Sequence, residues 1–138
     1  MKKILAASLL SLLIPVMCPF PVDARPVRWV KIGESSDSTG YVDVESILKE
    51  ENLRFYWVKS VFKKRTPLSG EGTPLVYSSL SYTYMDCKDN VYEILLLKVL
   101  GAKDQLLGNL GAKDIDDGLQ EIKPGSNGEI EKDFVCSR

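Results

Sequence analysis

The most informative segment of this 138-residue chain is LRFYWVKSVF, residues Leu53–Phe62. Its aromatic and β-branched side chains favour the pleated, half-buried surface of a β-strand. A polar loop over Lys63–Thr73 follows, and then two further long strands are predicted over Leu75–Cys87 and Val91–Leu100. Three consecutive strands of this kind form an antiparallel meander. Apolar residues occupy both alternating positions of the third strand, so we predict a central strand covered on both faces.

Shorter strands flank this meander on both sides. Before it, strands are predicted over Arg28–Ile32 and Tyr41–Asp43, separated by a turn rich in Ser, Asp, Thr and Gly. Asp43 is expected to cap a single helical turn over Val44–Leu48, because its side chain can accept an unpaired N–H group at a helix start. After the meander, a short strand is predicted over Gln105–Gly108, between two copies of the pentapeptide LGAKD.

One clear helix is predicted, at the C-terminus. The tetrapeptide Ser126–Glu129 matches the capping-box pattern Ser-x-x-Glu, which marks a helix start. Ile130 and Phe134 then lie at positions i and i+4 and form one apolar stripe. The predicted fold class is therefore α+β: an antiparallel β-sheet of about five to six strands, with a C-terminal helix packed on one face.

The first 24 residues are predicted to be a cleaved export signal. Two lysines precede the apolar run Ile4–Ile14, which is shorter than the roughly 20 residues needed to span a bilayer. This order is typical of a secretory signal peptide, and cleavage is predicted after Ala24. Residues 25–138 would then form a single domain with no transmembrane span. The alternative is lipidation at Cys18.

The cysteines support an exported protein. Cleavage after Ala24 removes Cys18 and leaves Cys87 and Cys136, which lie 49 positions apart. Paired thiols oxidise in exported proteins, so we predict a Cys87–Cys136 disulfide that ties the helix to the sheet. A closed loop of this size contributes about 4 kcal/mol in the chain-entropy model. A redox or metal-binding role is disfavoured, because the chain has no Cys-x-x-Cys pattern and no His.

Composition and charge argue against several classes of protein. The formal net charge of −1 disfavours nucleic-acid binding, which usually requires a basic excess. The absence of His excludes His-dependent catalytic triads and His-ligated zinc sites. The acidic segment Asp114–Asp117 is either a solvated loop or a calcium site, although its glycine comes one position too early for an EF-hand loop. We therefore predict a non-enzymatic protein with no cofactor and no metal.

A basic cluster is the first candidate binding surface. It consists of Lys59, Lys63, Lys64 and Arg65, at the end of the first long strand. Such a cluster can attract sulfated glycans or acidic proteins by charge. Alternatively, it is a charged strand end that prevents edge-to-edge pairing and maintains solubility. We name it as the candidate binding patch, with a protein or glycan macromolecule as the partner.

Aromatic side chains on adjacent strands are the second candidate. Phe55, Trp57, Tyr77, Tyr82 and Tyr84 either form an exposed binding face, since aromatic residues dominate interface hot spots, or pack in the core and across strands. We predict that most of them pack in this way. The two tryptophans of the chain, Trp29 and Trp57, are expected to lie in the core.

Several short motifs together resemble the surface-adhesin protein E-like family of exported bacterial domains. No single motif is specific, but their order and spacing match from about Trp29 to Cys136. The motifs are Trp29-Val30, Tyr41-Val42-Asp43 with Ser46-Ile47, Trp57-Val58, Asp86-Cys87-Lys88, Pro124-Gly125-Ser126 and Val135-Cys136.

The resemblance implies an antiparallel sheet with a disulfide-linked C-terminal helix, and adhesion to host extracellular-matrix proteins as the expected function. A shared fold does not by itself transfer a ligand. The alternative is a periplasmic structural or accessory protein that binds an envelope component. The expected location is correspondingly the outer cell surface or the periplasm.

Overall fold

The computed structural model describes residues 25–115 and 118–138, so the predicted signal peptide and the possible lipidation site at Cys18 lie outside the described residues. Within these ranges the chain forms eight β-strands and one α-helix. They are β1 (Trp29–Glu34), β2 (Ser38–Asp43), β3 (Leu48–Glu50), β4 (Leu53–Pro67), β5 (Leu75–Asp86), β6 (Val91–Leu100), β7 (Leu106–Gly111), β8 (Gln120–Glu121) and α1 (Asn127–Cys136).

The strands form one antiparallel sheet in the order β1-β2-β4-β5-β6-β7. Strand β3 pairs with β4 and β8 pairs with β6, outside that main order. Strands β4, β5 and β6 are consecutive in sequence and adjacent in the sheet, which confirms the predicted meander. The α+β fold class is also confirmed.

Several boundaries differ from the sequence-based ones. Strand β4 continues to Pro67, because Thr66 and Pro67 pair with Val76 and Leu75 beyond an irregularity in the register. The first residues of the predicted loop Lys63–Thr73 are therefore strand. Strand β2 begins at Ser38 rather than Tyr41, and the short strands β3 and β8 were not predicted. The two LGAKD copies form one-turn 3-10 helices on either side of β7.

Strand β6 lies inside the sheet, but the prediction that both of its faces are covered is wrong. Of its ten residues only Leu100 is buried, and the others are half-buried. The reason is that α1 packs on one face of the sheet only. Leu96 and Lys98 of β6 are in register with Tyr82 and Leu80 on the other face.

The hydrophobic core lies between the sheet and α1. Directly opposite residues of antiparallel strands share a face, so the register places Tyr56 with Thr83 and Val58 with Ser81 on the side of the helix. This side contains the buried apolar residues that form a single cluster. They are Val42, Tyr56, Val58, Met85, Ile122 and Val135.

The start of α1 follows the predicted capping box. The Ser126 hydroxyl accepts a hydrogen bond from the Glu129 N–H at 3.3 Å. The Glu129 carboxylate in turn accepts from the Gly125 N–H at 2.6 Å. The Ser126 half of the capping box is therefore formed as predicted, whereas Glu129 reaches the N–H of Gly125, one residue before the N-cap, instead of that of Ser126.

The buried side of α1 differs from the predicted apolar stripe. Val135 is fully buried and Phe134 packs against the core, whereas Ile130 remains 39% exposed. The stripe of Ile130 and Phe134 is therefore only half correct. In the described part of the chain, no helix is both long and apolar enough to cross a membrane.

Two connections hold the C-terminal end of α1 on the sheet. The predicted disulfide is present between Cys87 and Cys136, with their Cα atoms 5.9 Å apart. Beside it, the buried guanidinium of Arg54 donates to the main-chain carbonyls of Val135 and Arg138, each at 3.2 Å. Arg54 thus satisfies carbonyl groups that a helix leaves unpaired at its last turn.

Candidate functional site

The sheet face opposite α1 carries a continuous row of aromatic side chains. In the strand register Phe55 lies opposite Tyr84, with ring centroids 5.5 Å apart, and Trp57 lies opposite Tyr82, at 5.2 Å. The ammonium group of Lys98 is 5.4 Å from the centre of the Trp57 ring, which is a cation–π contact. The four aromatic residues are half-buried. We call these five residues the open face.

Two hollows flank Trp57 on the open face. The larger, of about 430 Å³, also has Leu48 and Arg25 in its wall. The smaller, of about 200 Å³, has Arg25, Val27 and Trp29 in its wall. Leu48 is 52% and Val27 59% exposed. Apolar residues that cluster around accessible hollows are typical of interaction sites rather than of scattered surface residues.

This arrangement corrects part of the sequence-based assignment. The prediction that Trp29 and Trp57 are core residues is wrong, because Trp29 is 36% exposed and neither belongs to the buried cluster. Phe55, Trp57, Tyr82 and Tyr84 do pack across strands, but on a face that α1 does not cover. Strand alternation indicates which side chains share a face, and it does not indicate which face a helix will cover.

The structure divides the basic cluster into two parts. Lys59 and Arg65 lie at one end of the open face, where they border a hollow of about 200 Å³ together with Tyr77. The Arg65 guanidinium carbon is 4.4 Å from the centre of the Tyr77 ring. Lys59 forms an ion pair with Asp104 at 3.1 Å, which partly neutralises this end.

Lys63 is directed elsewhere. Its ammonium group lies 2.7 Å from the carboxylate of Glu34 on β1. Hydrogen bonds from Lys31 and Lys63 hold the pKa of Glu34 near 2, well below its usual value of 4.5. Lys64 is exposed. The four cations therefore do not converge on one point, and Lys59 and Arg65 are the pair that shares a hollow.

The acidic segment Asp114–Asp117 is only partly within the described residues, because Asp116 and Asp117 lie outside them. The Asp114 carboxylate accepts a hydrogen bond from the Gly111 N–H at 3.4 Å, at the start of a one-turn helix. Among the residues that the structure describes, there is no group of three or more acidic or cysteine side chains able to hold a metal ion.

Two cations of this surface were not predicted from the sequence. Arg25 borders both hollows beside Trp57, and Lys98 covers the Trp57 ring. A signal for Lys98 exists in the segment VYEILLLKVL, where it is the one basic residue of an otherwise mostly apolar strand. Such a residue must face solvent or a partner, since Lys is almost never fully buried alone.

A family model described as Surface-adhesin protein E matches residues 29–137. The match covers β1 to α1, and therefore both the open face and the disulfide-linked helix. A search of curated proteins found no significant match.

Solved structures with the same fold come from Haemophilus influenzae. Protein E in crystal form II is 14% identical, with a TM-score of 0.61 over 83% of this chain and 94% of that chain. Another protein E structure is 13% identical, with a TM-score of 0.56 over 82% and 88%. Protein E from a non-typeable strain is 15% identical, with a TM-score of 0.56 over 85% and 80%. At these identities the likeness shows the fold alone.

Proposed function

Because this chain belongs to the Surface-adhesin protein E family, we propose that it is an exported, non-enzymatic adhesin that binds a macromolecule through the open face. The observation that supports this most directly is the row of half-buried aromatic residues on the sheet face that α1 does not cover. The partner class is a protein or glycan, with host extracellular-matrix proteins as the family-based expectation.

The chemistry of the open face suits a protein partner. Tyr and Trp provide large contact areas at low cost in conformational entropy, and they dominate binding energy at interfaces. Trp57 stands between two hollows that can accept side chains of a partner. Exposed Val27 and Leu48 extend the apolar area on either side.

In this proposal the basic cluster helps the protein to associate with its partner. Lys59 and Arg65 lie at the edge of the open face, and Arg25 borders the hollows beside Trp57. Lys59 is paired with Asp104 and Arg25 with Asp43, so Arg65 and Lys98 contribute most of the positive charge. Charges at the rim of an interface mainly raise the association rate and its dependence on salt. An acidic protein or a sulfated glycan would be attracted in this way. Lys63 and Lys64 would contribute less, because Lys63 is paired with Glu34.

A binding assay with two variants tests the role of the open face. The protein is expressed from the full chain in an exporting bacterial host, and its binding to immobilised laminin and vitronectin is measured. Trp57→Ser should weaken binding by about tenfold or more, because a central aromatic residue contributes about 2 kcal/mol at a hot spot. The control Leu68→Ser removes an exposed apolar residue from the β4–β5 loop and should bind as the unaltered protein does.

The outcomes of this assay are distinct. Saturable binding that Trp57→Ser weakens, with an unchanged melting temperature, supports the proposal. Saturable binding that is equal in both variants overturns the role of the open face. The absence of saturable binding at micromolar concentrations argues against adhesion to these matrix proteins.

Location separates the adhesin from its alternative. In intact cells treated with protease, a surface adhesin should be digested while a periplasmic control protein survives. If the protein is protected until the envelope is broken, it is the periplasmic accessory protein of the alternative proposal. The open face would then serve an envelope component, and a pull-down from envelope extracts would be the next measurement.

A further inference from the structure

A second concave site lies on the other side of the sheet, beneath the first turns of α1. Its volume is about 270 Å³, near the lower end of the range for small-molecule sites. Four hydroxyl groups from β4 and β5 and two polar groups from α1 line it. They are Ser60, Ser79, Ser81, Thr83, Asn127 and Glu131, and we call this site the hydroxyl cavity.

The strand register explains why these hydroxyl groups converge. Ser79, Ser81 and Thr83 alternate along β5 and therefore point to the same face. Ser60 lies directly opposite Ser79 on the neighbouring strand β4. This is the face that α1 covers, where apolar residues would normally be expected. At the other end of the same face Met85 of β5 is fully buried in the core.

The polar groups of the cavity have unused hydrogen-bonding capacity. Among the described residues, none of the four hydroxyl groups has a hydrogen-bond partner, although Thr83 is only 2% exposed. The Tyr56 hydroxyl donates to Oε2 of Glu131 at 3.1 Å, and Oε1 of Glu131 has no described partner. Among the described residues no fully buried side-chain nitrogen or oxygen atom lacks a hydrogen-bond partner. The hydroxyl groups of the cavity are therefore accessible, and they can form hydrogen bonds to water or to a ligand.

The charge and polarity of the cavity narrow the class of ligand. Among the residues that the structure describes, no basic side chain lines the cavity, so an anionic ligand would lack a counter-charge there. Burial raises the pKa of Glu131 to about 7, so its carboxyl group can both donate and accept near neutral pH. Val58, Ile94 and Leu97 supply an apolar wall beside the hydroxyl groups. A wall of this kind suits a ligand that has C–H surfaces as well as many hydroxyl groups.

From this arrangement we propose that the hydroxyl cavity binds one neutral monosaccharide unit, held by hydrogen bonds to Ser79, Ser81 and Glu131. The apolar wall contacts the C–H face of the sugar ring. The site is separate from the open face, because the two lie on opposite sides of the sheet. Its existence therefore does not depend on the adhesin proposal.

Nuclear magnetic resonance tests this proposal without a known natural ligand. The ¹⁵N-labelled protein, expressed from the full chain and exported, is titrated with glucose, galactose and N-acetylglucosamine. At least one sugar should produce saturable shifts confined to amides of β5 and the start of α1. Ser81→Val should weaken this binding about tenfold, the equivalent of about 1.4 kcal/mol for a lost hydrogen bond. The control Ser69→Ala, in the exposed β4–β5 loop, should leave it unchanged.

Defined results overturn the proposal. They are amide shifts that fail to saturate, shifts of amides outside the cavity, or sugar binding by Ser81→Val that equals that of the unaltered protein. Tighter binding of a simple alkylamine than of any sugar would also overturn it, since the site would then recognise a cation through Glu131. The variant Trp57→Ser should bind the sugar normally, so a failure of this proposal can be distinguished from a failure of the adhesin proposal.

Neutral sugars occur both in host glycans and in the bacterial envelope. Once a monosaccharide has been identified, two oligosaccharides that contain it separate these sources. One is a host-type disaccharide such as N-acetyllactosamine, and the other is a disaccharide fragment of peptidoglycan. Binding of either that Ser81→Val weakens supports the site and identifies the source.

Discussion

Glu131 provides the sharpest prediction of how stability depends on pH. Glu131 is half-buried on α1, and its carboxyl group accepts a hydrogen bond from the hydroxyl of the buried Tyr56. Burial disfavours the charged form and raises the pKa of Glu131 from 4.5 to about 7, although the Tyr56 hydrogen bond acts in the opposite direction. Replacement by glutamine keeps the shape of the side chain and removes its titration.

The direction of the effect follows from proton linkage. Between about pH 4.5 and pH 7 the folded protein keeps the Glu131 proton, while the unfolded chain has lost it. The free energy of unfolding therefore falls as pH rises through this window. One pKa unit corresponds to about 1.4 kcal/mol, so the upper limit is roughly 3 kcal/mol. Because Glu131 is half-buried beside a cavity that water can enter, we expect about 1–2 kcal/mol after screening.

Two groups close to Glu131 have pKa values outside this window. The pKa of Glu34, which borders a small hollow together with Glu131, is held near 2 by Lys31 and Lys63. The pKa of Tyr56 is raised far above its usual value by burial and by Glu131, so its hydroxyl stays protonated. The part of any change in stability near pH 6 that Glu131→Gln abolishes is assigned to Glu131.

Urea unfolding at about pH 5 and about pH 8 measures the effect. Between these two pH values the unaltered protein should lose about 1–2 kcal/mol of unfolding free energy relative to Glu131→Gln. The control Glu71→Gln, in the exposed β4–β5 loop, should show no such shift. If the curves for Glu131→Gln and the unaltered protein stay parallel across this range, the assignment of a raised pKa to Glu131 is wrong.

Two further predictions concern elements that hold the fold together. Removing the Cys87–Cys136 disulfide with paired serine substitutions should lower the free energy of unfolding by about 4 kcal/mol, because the bond closes a loop of 49 positions. An unchanged urea midpoint would show that the disulfide does not stabilise the fold in this way. Asp43→Ala should cost about 2–4 kcal/mol, because this buried carboxylate accepts from the N–H groups of Arg28 and Glu45. Asp43→Asn, which keeps an acceptor, should cost clearly less in the same assay, and equal losses would contradict the capping role.

The elements that local patterns specify could be predicted from the sequence. The long strands β4, β5 and β6 follow from aromatic and β-branched composition, and the start of α1 follows from the Ser126–Glu129 capping box. The Cys87–Cys136 pairing follows from a predicted export signal and two remaining cysteines. Asp43 caps the one-turn helix after β2 as expected, although that helix covers only Val44–Ser46.

The candidate sites could be predicted only in part, because they depend on contacts between distant residues. Glu131 and Tyr56 are 75 positions apart, and no local pattern of α1 indicates that its carboxyl group would meet a buried hydroxyl. The sequence around Arg54 predicts an ordinary strand residue, yet Arg54 is buried and donates a hydrogen bond to a carbonyl at the end of α1. The size of the Trp57 side chain predicts a core residue, and only the position of α1 shows that Trp57 lies on the opposite sheet face.

The two proposed sites have one structural cause, which is the small size of α1. With ten residues, α1 is about 15 Å long, whereas six adjacent strands span about 24 Å. The helix therefore covers only part of one face. Beneath its first turns the same face carries Ser60, Ser79 and Ser81, which tolerate water and form the hydroxyl cavity. The opposite face is not covered by α1, so its aromatic residues remain partly accessible, and the Lys98 ammonium group contacts the Trp57 ring there.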